Sequence, residues 1–324
     1  MKMEFSHDLE QAVKEVNDAI LPLLPEEKGQ QKIVMEAMNY SVKAGGKRIR
    51  PMILMKSFEM FSENSEEAAL LSPVRDAFMA ALESIHTFSL CHDDLPCMDG
   101  DKYRRGQEST WYHFGEDMGT LAGDAFSLYA FELIPDAFDR VYEEHAEQYD
   151  EKTWLSLSRR VNKATYILSH QSGIYGMLGG QVVDVEMTGK PLSEEQLMFI
   201  YKLKTGALLS CAFMAGAALA GAEEEELRVL SEIGDKIGIA FQIEDDVLDE
   251  TSTVEVLGKP IHSDEENGKT TYVTLHGLEA SQQEVSRLSE EAVEALSSFQ
   301  LDGSGKAAQE FLISLTKALI HRKK

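Results

Sequence analysis

The chain has 324 residues, 43% of them hydrophobic, and its 31 basic against 56 acidic side chains leave a net charge of −25. That is enough apolar material for a sizeable core, and the negative balance makes nucleic acid and anionic membranes poor partners. Cys91, Cys97 and Cys211 are too few and too irregular for a disulfide framework, which suits reduced thiols in a cytosol.

The opening MKMEFSHDLEQAV has no apolar core of signal-peptide length. No run reaches the roughly eighteen uncharged apolar residues of a membrane span, so a cytoplasmic protein without an integral membrane segment is expected. Apolar spacing of three and four residues predicts helices over 8–21 and 28–43. Gly45-Gly46-Lys47-Arg48-Ile49-Arg50-Pro51 follows, with three cations behind a glycine pair and Pro51 fit to start helix 51–62. Flexible backbone beside guanidinium groups makes a good diphosphate receptor; a solvated basic turn is the plain alternative. Helix 66–94 leads into Asp93-Asp94-Leu95-Pro96-Cys97-Met98-Asp99, and Arg104-Arg105-Gly106 comes shortly after. Helices 118–134, 152–171 and 174–187 are next, the last containing GGQVVDVE (179–186). Helix 193–220 opens on a Ser193/Gln196 capping box and is interrupted by Lys204-Thr205-Gly206. Helix 225–249 ends in Asp245-Asp246-Val247-Leu248-Asp249. Helices 270–277, 280–298 (with a Ser281/Glu284 box) and 304–321 close the chain.

No run alternates convincingly at period two, so the chain is expected to be all-α. The small, apolar, Gly- and Ala-rich stretches Leu208–Leu219 and Ile167–Val183 should be buried on most faces at the centre of one large helical bundle. No linker is evident, and residues 1–324 are expected to form a single domain.

The two aspartate clusters carry the chemistry. Crowded carboxylates repel one another unless a cation offsets them. Each cluster also sits where a helix is expected to end, where the macrodipole disfavours negative charge by roughly 0.3–1 kcal/mol per group. The spacing of Asp245 and Asp249 puts them one turn apart on one helix face. Two such clusters make sense if they face each other across a cavity and share divalent metal. The hard oxygen ligands they have in common point to magnesium rather than zinc. A solvated acidic helix end is the alternative for either cluster alone.

The ordered set of blocks resembles the trans-isoprenyl diphosphate synthases, and most closely their bacterial farnesyl diphosphate synthase branch. The resemblance runs from about Gly29 to the end. DDLPCMD with its RRG is similar to the family's first aspartate-rich motif in its two-residue-insertion form. GGQVVDVE, KTG, FQIEDDVLD and GKPIHSDEENGKTTYV (258–273) are similar to further family blocks. The resemblance implies an isoprenoid synthase bundle with a central cavity, a magnesium cofactor and a homodimer. It implies that Asp93, Asp99 and Asp245 ligate magnesium on an allylic diphosphate, with Asp94, Asp246 and Asp249 in support. Arg104, Lys204, Lys259 and Lys269 would hold that diphosphate. Gly46, Lys47, Arg50, His86 and Arg105 would serve the diphosphate of isopentenyl diphosphate, with a core histidine bonded to a backbone carbonyl as the alternative for His86. Thr205 and Gln242 would lie along the allylic chain. Departures are small: Gly100-Asp101-Lys102 stands where relatives often have more consecutive acids, and Glu244 replaces a frequent Gln.

Phe88 and Ser89 precede Asp93 by about one helical turn. In the family an aromatic there resembles fifteen-carbon synthases by blocking the hydrocarbon pocket. Phe88 could instead be ordinary core, with Met79 or Ile85 as the floor. The expected activity is head-to-tail condensation giving farnesyl diphosphate, with geranylgeranyl diphosphate synthase as the runner-up and a non-catalytic partner subunit as the alternative of another class.

Overall fold

A computed structural model describes residues 2–62, 65–251 and 270–320. The described chain groups into two compact units, Met1–Met55 with Asn64–Thr165 and Lys56–Glu63 with Tyr166–Lys324.

The first unit holds α1 (Lys2–Ile20), α2 (Lys32–Lys43), the start of α3 (Ile49–Phe61), α4 (Glu66–Leu70), α5 (Ser72–Asp93), α6 (Thr110–Phe114), α7 (Glu116–His145) and most of α8 (Glu151–Ser172). Its heart is the packing of α5 on α7, with Phe78, Met79, Leu82, Ile85 and Phe126 sealed from solvent. The single helix expected over 66–94 is broken at Leu71. Ser65 caps α4 by accepting from the Ala68 amide, and Pro73 starts α5, where a missing N–H does no harm. Pro135 does not end α7, as the sequence suggested; it lies inside the helix. Ile134 and Val141 are buried on either side of it, so tertiary packing outweighs the lost hydrogen bond. A short antiparallel ladder also escaped notice: Tyr103 pairs with Glu108 and Arg104 with Gln107, too few residues to show a period of two.

The second unit holds α9 (Met177–Glu186), α10 (Glu194–Ile200), a π-helical turn (Tyr201–Gly206), α11 (Ala207–Ala220), α12 (Glu224–Thr251), α13 (Tyr272–His276), α14 (Leu278–Ser297) and α15 (Gly303–Ile320). The Ser193/Gln196 capping box is present, but the Ser281/Glu284 box is not. Gly277 starts α14 instead, and Ser281 sits inside it with its hydroxyl on the Gly277 carbonyl. α11 is buried almost throughout, as expected. Residues 167–183 are not: Ile174, Tyr175, Leu178 and Val182 are exposed, because Gly173 and Gly176 interrupt the helix and turn that side outward. The run Glu194–Ala220 is long and apolar enough to be a candidate span by composition, but 78% of its most apolar window is buried within the protein. It is a core helix.

The crossing of α11 on α12 depends on missing side chains. A Cβ on Gly238 would come within 2.2 Å of the Gly206 Cα, and one on Gly234 within 2.4 Å of the Ser210 Cα. Backbones this close leave room for no other residue.

Candidate active site

In the first unit, helix α5 delivers the first aspartate cluster at its C-terminus. The chain then folds back on itself. The Asp99 amide donates to the Asp93 carbonyl at 2.9 Å, and the Gly100 amide to the Leu95 carbonyl at 3.0 Å. Residues six apart in sequence are thereby drawn together, with Gly100 at φ 70 closing the turn. Asp99 is exposed and Asp93 half-buried.

Asp94 points elsewhere. It is only 2% exposed, and both its oxygens accept from Arg104 Nε at 2.8 Å. Burial pushes the Asp94 carboxyl up, and the guanidinium clamped on it opposes that shift. In this state Arg104 is therefore spent on the protein's own carboxylate, not presented alone to an anion.

The next residue does the reverse. Arg105 (φ 53) and Gly106 (φ 82) form the tip of the hairpin, a two-residue turn with positive φ at both positions. An arginine there is strained by about 1–2 kcal/mol, which argues that its placement matters. Its guanidinium donates to the Gly45 carbonyl. A Cβ on Gly46 (φ 141) would lie 2.8 Å from the Arg105 Cζ, so the glycine pair of GGKRIRP exists in part to admit this side chain.

Within GGKRIRP the three cations separate. Arg48 is buried and turned inward at φ 49. It bonds Glu83 at 2.6 Å, Asn17 at 3.0 Å and the Val42 carbonyl at 2.7 Å. It is a structural ion pair, so Arg48 is not a cation that the basic block can present to a ligand. Lys47 is exposed and Arg50 half-buried. Arg50 Nη1 lies 3.4 Å from His86 Nε2, and its Nε is buried without a hydrogen-bond partner. Burial pushes the Arg50 guanidinium down to about 10, with Arg105 adding repulsion, and it stays charged at neutral pH. The same burial, reinforced by Arg50, Arg105, Arg104 and Arg48, holds His86 well below the ordinary histidine range. His86 is thus a neutral ring in a cationic nest, not a core histidine closed off by a carbonyl. A buried, unsatisfied N–H is costly, and an incoming anion would satisfy it.

Phe88 packs with the cluster of Ala37, Met38, Cys91, Ala122 and Phe126, edge-on to His92. Ser89 donates to the His86 carbonyl at 2.9 Å.

In the second unit, the π turn displays Lys204 and Thr205. Lys204 Nζ meets Asp184 Oδ2 at 2.5 Å, and Thr205 Oγ1 donates to Gln242 Oε1 at 3.0 Å. Asp184, from GGQVVDVE, has no role assigned from sequence; a carboxylate inside the apolar run Val182–Val185 is the available signal. The glycines of that block have a steric reason, since a Cβ on Gly180 would come within 2.3 Å of the Lys204 amide nitrogen. Asp245 is half-buried and Asp249 buried, one turn apart on a continuous α12. Lys259 and Lys269 lie outside the described residues.

Among the described residues no set of three or more His, Cys, Asp and Glu side chains converges on a metal position. Magnesium takes one or two carboxylates and completes its octahedron with water and substrate phosphates, and Asp93 and Asp99, joined by the fold-back, are carboxylates of the kind it takes. The donors in reach are carboxylate oxygens, and the orphaned Arg50 Nε suits the accompanying phosphate.

The Polyprenyl synthetase family profile matches residues 31–302. A farnesyl diphosphate synthase of Geobacillus stearothermophilus is 38% identical over 286 residues, 88% of each chain. A geranylgeranyl diphosphate synthase of Cyanophora paradoxa is 39% identical over 282 residues, 87% of this chain and 86% of its own. Among solved structures, a Helicobacter pylori geranyltransferase complexed with magnesium and isoprenyl diphosphate is similar with a TM-score of 0.76. It shares 28% identity, over 99% of this chain and 97% of its own. With the profile covering most of the sequence and the motifs in place, this chain belongs to the polyprenyl synthetase family.

Proposed function

We propose that this chain is a head-to-tail prenyltransferase that condenses dimethylallyl and then geranyl diphosphate with isopentenyl diphosphate, releasing farnesyl diphosphate and pyrophosphate. The observation that carries this reading is the half-buried Arg50, its Nη1 beside His86 and its Nε without a partner, in a chain of net charge −25. Such a nest is an anion seat separate from the carboxylate motif, and a reaction with two diphosphates requires one. A terpene cyclase, which ionises a single diphosphate, does not.

Asp93 and Asp99 of the first motif and Asp245 of the second would hold the magnesium ions, with Asp94 and Asp249 supporting. Bound there, magnesium neutralises the diphosphate leaving group as its C–O bond breaks. Lys204, Lys259 and Lys269 bind the same diphosphate, as does Arg104 once it trades Asp94 for phosphate oxygen. Lys47, Arg50, His86 and Arg105 hold isopentenyl diphosphate, and Gly46 lets its phosphate and Arg105 approach the backbone. The Thr205 and Gln242 oxygens face the developing allylic cation. The isopentenyl double bond attacks that carbon, the new C–C bond forms, and the resulting tertiary cation loses a proton to the departing pyrophosphate.

The comparisons include fifteen- and twenty-carbon synthases, so chain length rests on Phe88. Replacing it with Ala should lengthen the product by at least one five-carbon unit; an unchanged product would assign Phe88 to the core alone. We place the enzyme in the cytoplasm as a homodimer, with its three cysteines as free thiols. Pyrophosphate release by the purified chain, given geranyl and isopentenyl diphosphates with magnesium, tests the activity. No release from the chain alone would favour a non-catalytic partner subunit.

A further inference from the structure

Asp246, the middle acid of the second cluster, is engaged differently from its neighbours. On α12 it is turned about 100° from Asp245 and about 60° from Asp249. It is 4% exposed. Its Oδ2 accepts from the Tyr201 hydroxyl at 2.5 Å and from the Tyr272 amide at 2.9 Å. The Tyr272 amide also lies 3.4 Å from the Tyr201 hydroxyl, so three groups close one small network.

Each partner sits at a mechanically sensitive point. Tyr201 is the first residue of the π turn that displays Lys204 and Thr205. A π turn squeezes an extra residue into a helix; such turns are rare and cluster at functional sites. This one is gripped by Gly180 of α9 at Lys204 and by Gly238 of α12 at Gly206, but those contacts fix only its downstream end. The Tyr201–Asp246 bond fixes the upstream end, and Tyr201 packs there with Ile200, Ala240 and Ile243. Tyr272 begins α13 directly after Thr271, whose side chain closes a capping box with Thr274. Its amide therefore fixes the first residue of that short helix.

We propose that Asp246 is a positioning residue, acting through Tyr201 and Tyr272 to tie the π turn to the start of α13 and so hold Lys204 and Thr205 where they can meet the allylic diphosphate. The inference rests on the functional reading above. It divides the second cluster: Asp245 serves the metal, while Asp246 serves the frame. A charged acceptor is needed because one oxygen takes two donors, which Asn would match only weakly.

Tyr201→Phe, Asp246→Asn and their combination separate this role from metal ligation, Tyr201→Phe being the variant that leaves every carboxylate intact. In the metal-free protein, each single change should lower the Tm by about 2–4 °C, and the double variant should fall no further than Asp246→Asn, since both remove one network. In the prenyl transfer assay, both should raise KM for geranyl diphosphate or cut kcat by about 10–100-fold, as a misplaced positioning group does. The magnesium concentration for half-maximal activity should stay at the wild-type value. Additive melting shifts would overturn the proposal. So would a tenfold higher magnesium requirement in Asp246→Asn alongside a silent Tyr201→Phe. A wild-type chain without prenyl transfer would sink the functional reading but not this tie, which the metal-free melts decide on their own.

Discussion

The two acidic motifs of this chain look alike in sequence and are built in opposite ways. In the first unit, Asp93 and Asp99 are brought together by a fold-back after α5. The nearby cations are set by backbone strain: among the described residues, Arg48 and Arg105 are the non-glycine positions with positive φ. In the second unit, Asp245 and Asp249 stand on an uninterrupted helix, and their surroundings are set by packing of Gly180, Gly206, Gly234 and Gly238. Loops can re-aim a charge cheaply and are suited to receiving a substrate that arrives and leaves. A helix braced by glycine contacts holds its carboxylates in fixed register. The lesson is that a shared aspartate pattern does not imply a shared mechanical role.

The sharpest way to break the comparison is at the rigid motif. Asp245→Ala should lower turnover by about 10³–10⁴-fold while the circular dichroism and unfolding midpoint stay close to wild type, since removing a metal-borne charge stabiliser costs several kcal/mol of transition-state energy. A loss under tenfold would contradict the metal assignment. Next comes the strained motif's anchor. Arg48→Met strands Glu83 in the interior, and breaking a buried pair from one side costs about 3–5 kcal/mol. Denaturant melts should report that loss, and Arg48→Met with Glu83→Leu should recover much of it. Gly46→Ala is milder. Its Cβ would strike the Arg105 guanidinium, at a backbone φ that disfavours alanine, so KM for isopentenyl diphosphate should rise about tenfold with KM for geranyl diphosphate unchanged.

The smallest effect is protonic. Because burial and four arginines depress His86 in the folded state, the unfolded chain takes up a proton near pH 6.5 that the native chain refuses. Stability contributed by this site is therefore full above pH 6.5 and declines as the pH falls below it. Imidazole NMR should find His86 neutral at pH 6, and inorganic pyrophosphate should raise its pKa by supplying the missing counter-charge. A protonated ring in the free protein would contradict the cationic nest.

Much of this was legible in the sequence, and the failures have physical reasons. Helix positions followed from apolar spacing, and both aspartate clusters were found at or near helix ends. The π turn was invisible because the apolar pattern of 193–220 runs on through it; only Lys204 inside that run hinted at something unusual. Nothing in GGKRIRP separates Arg48 from Arg50, since the partner that buries Arg48 is Glu83, distant in sequence and inside a helix that reads as plain core. Pro135 misled because local propensity was outweighed by the buried residues on both sides. The Arg104–Asp94 clamp joins two residues that the sequence singles out, but pattern alone offers no way to see that they bind each other.

The most direct test of the central claim is chromatography of the lipid product. The purified chain would be incubated with geranyl diphosphate and labelled isopentenyl diphosphate, with magnesium and with a chelator in parallel. A fifteen-carbon product that forms only with the metal is the expected result. A labelled isopentenyl pool left unconsumed with magnesium present would contradict it.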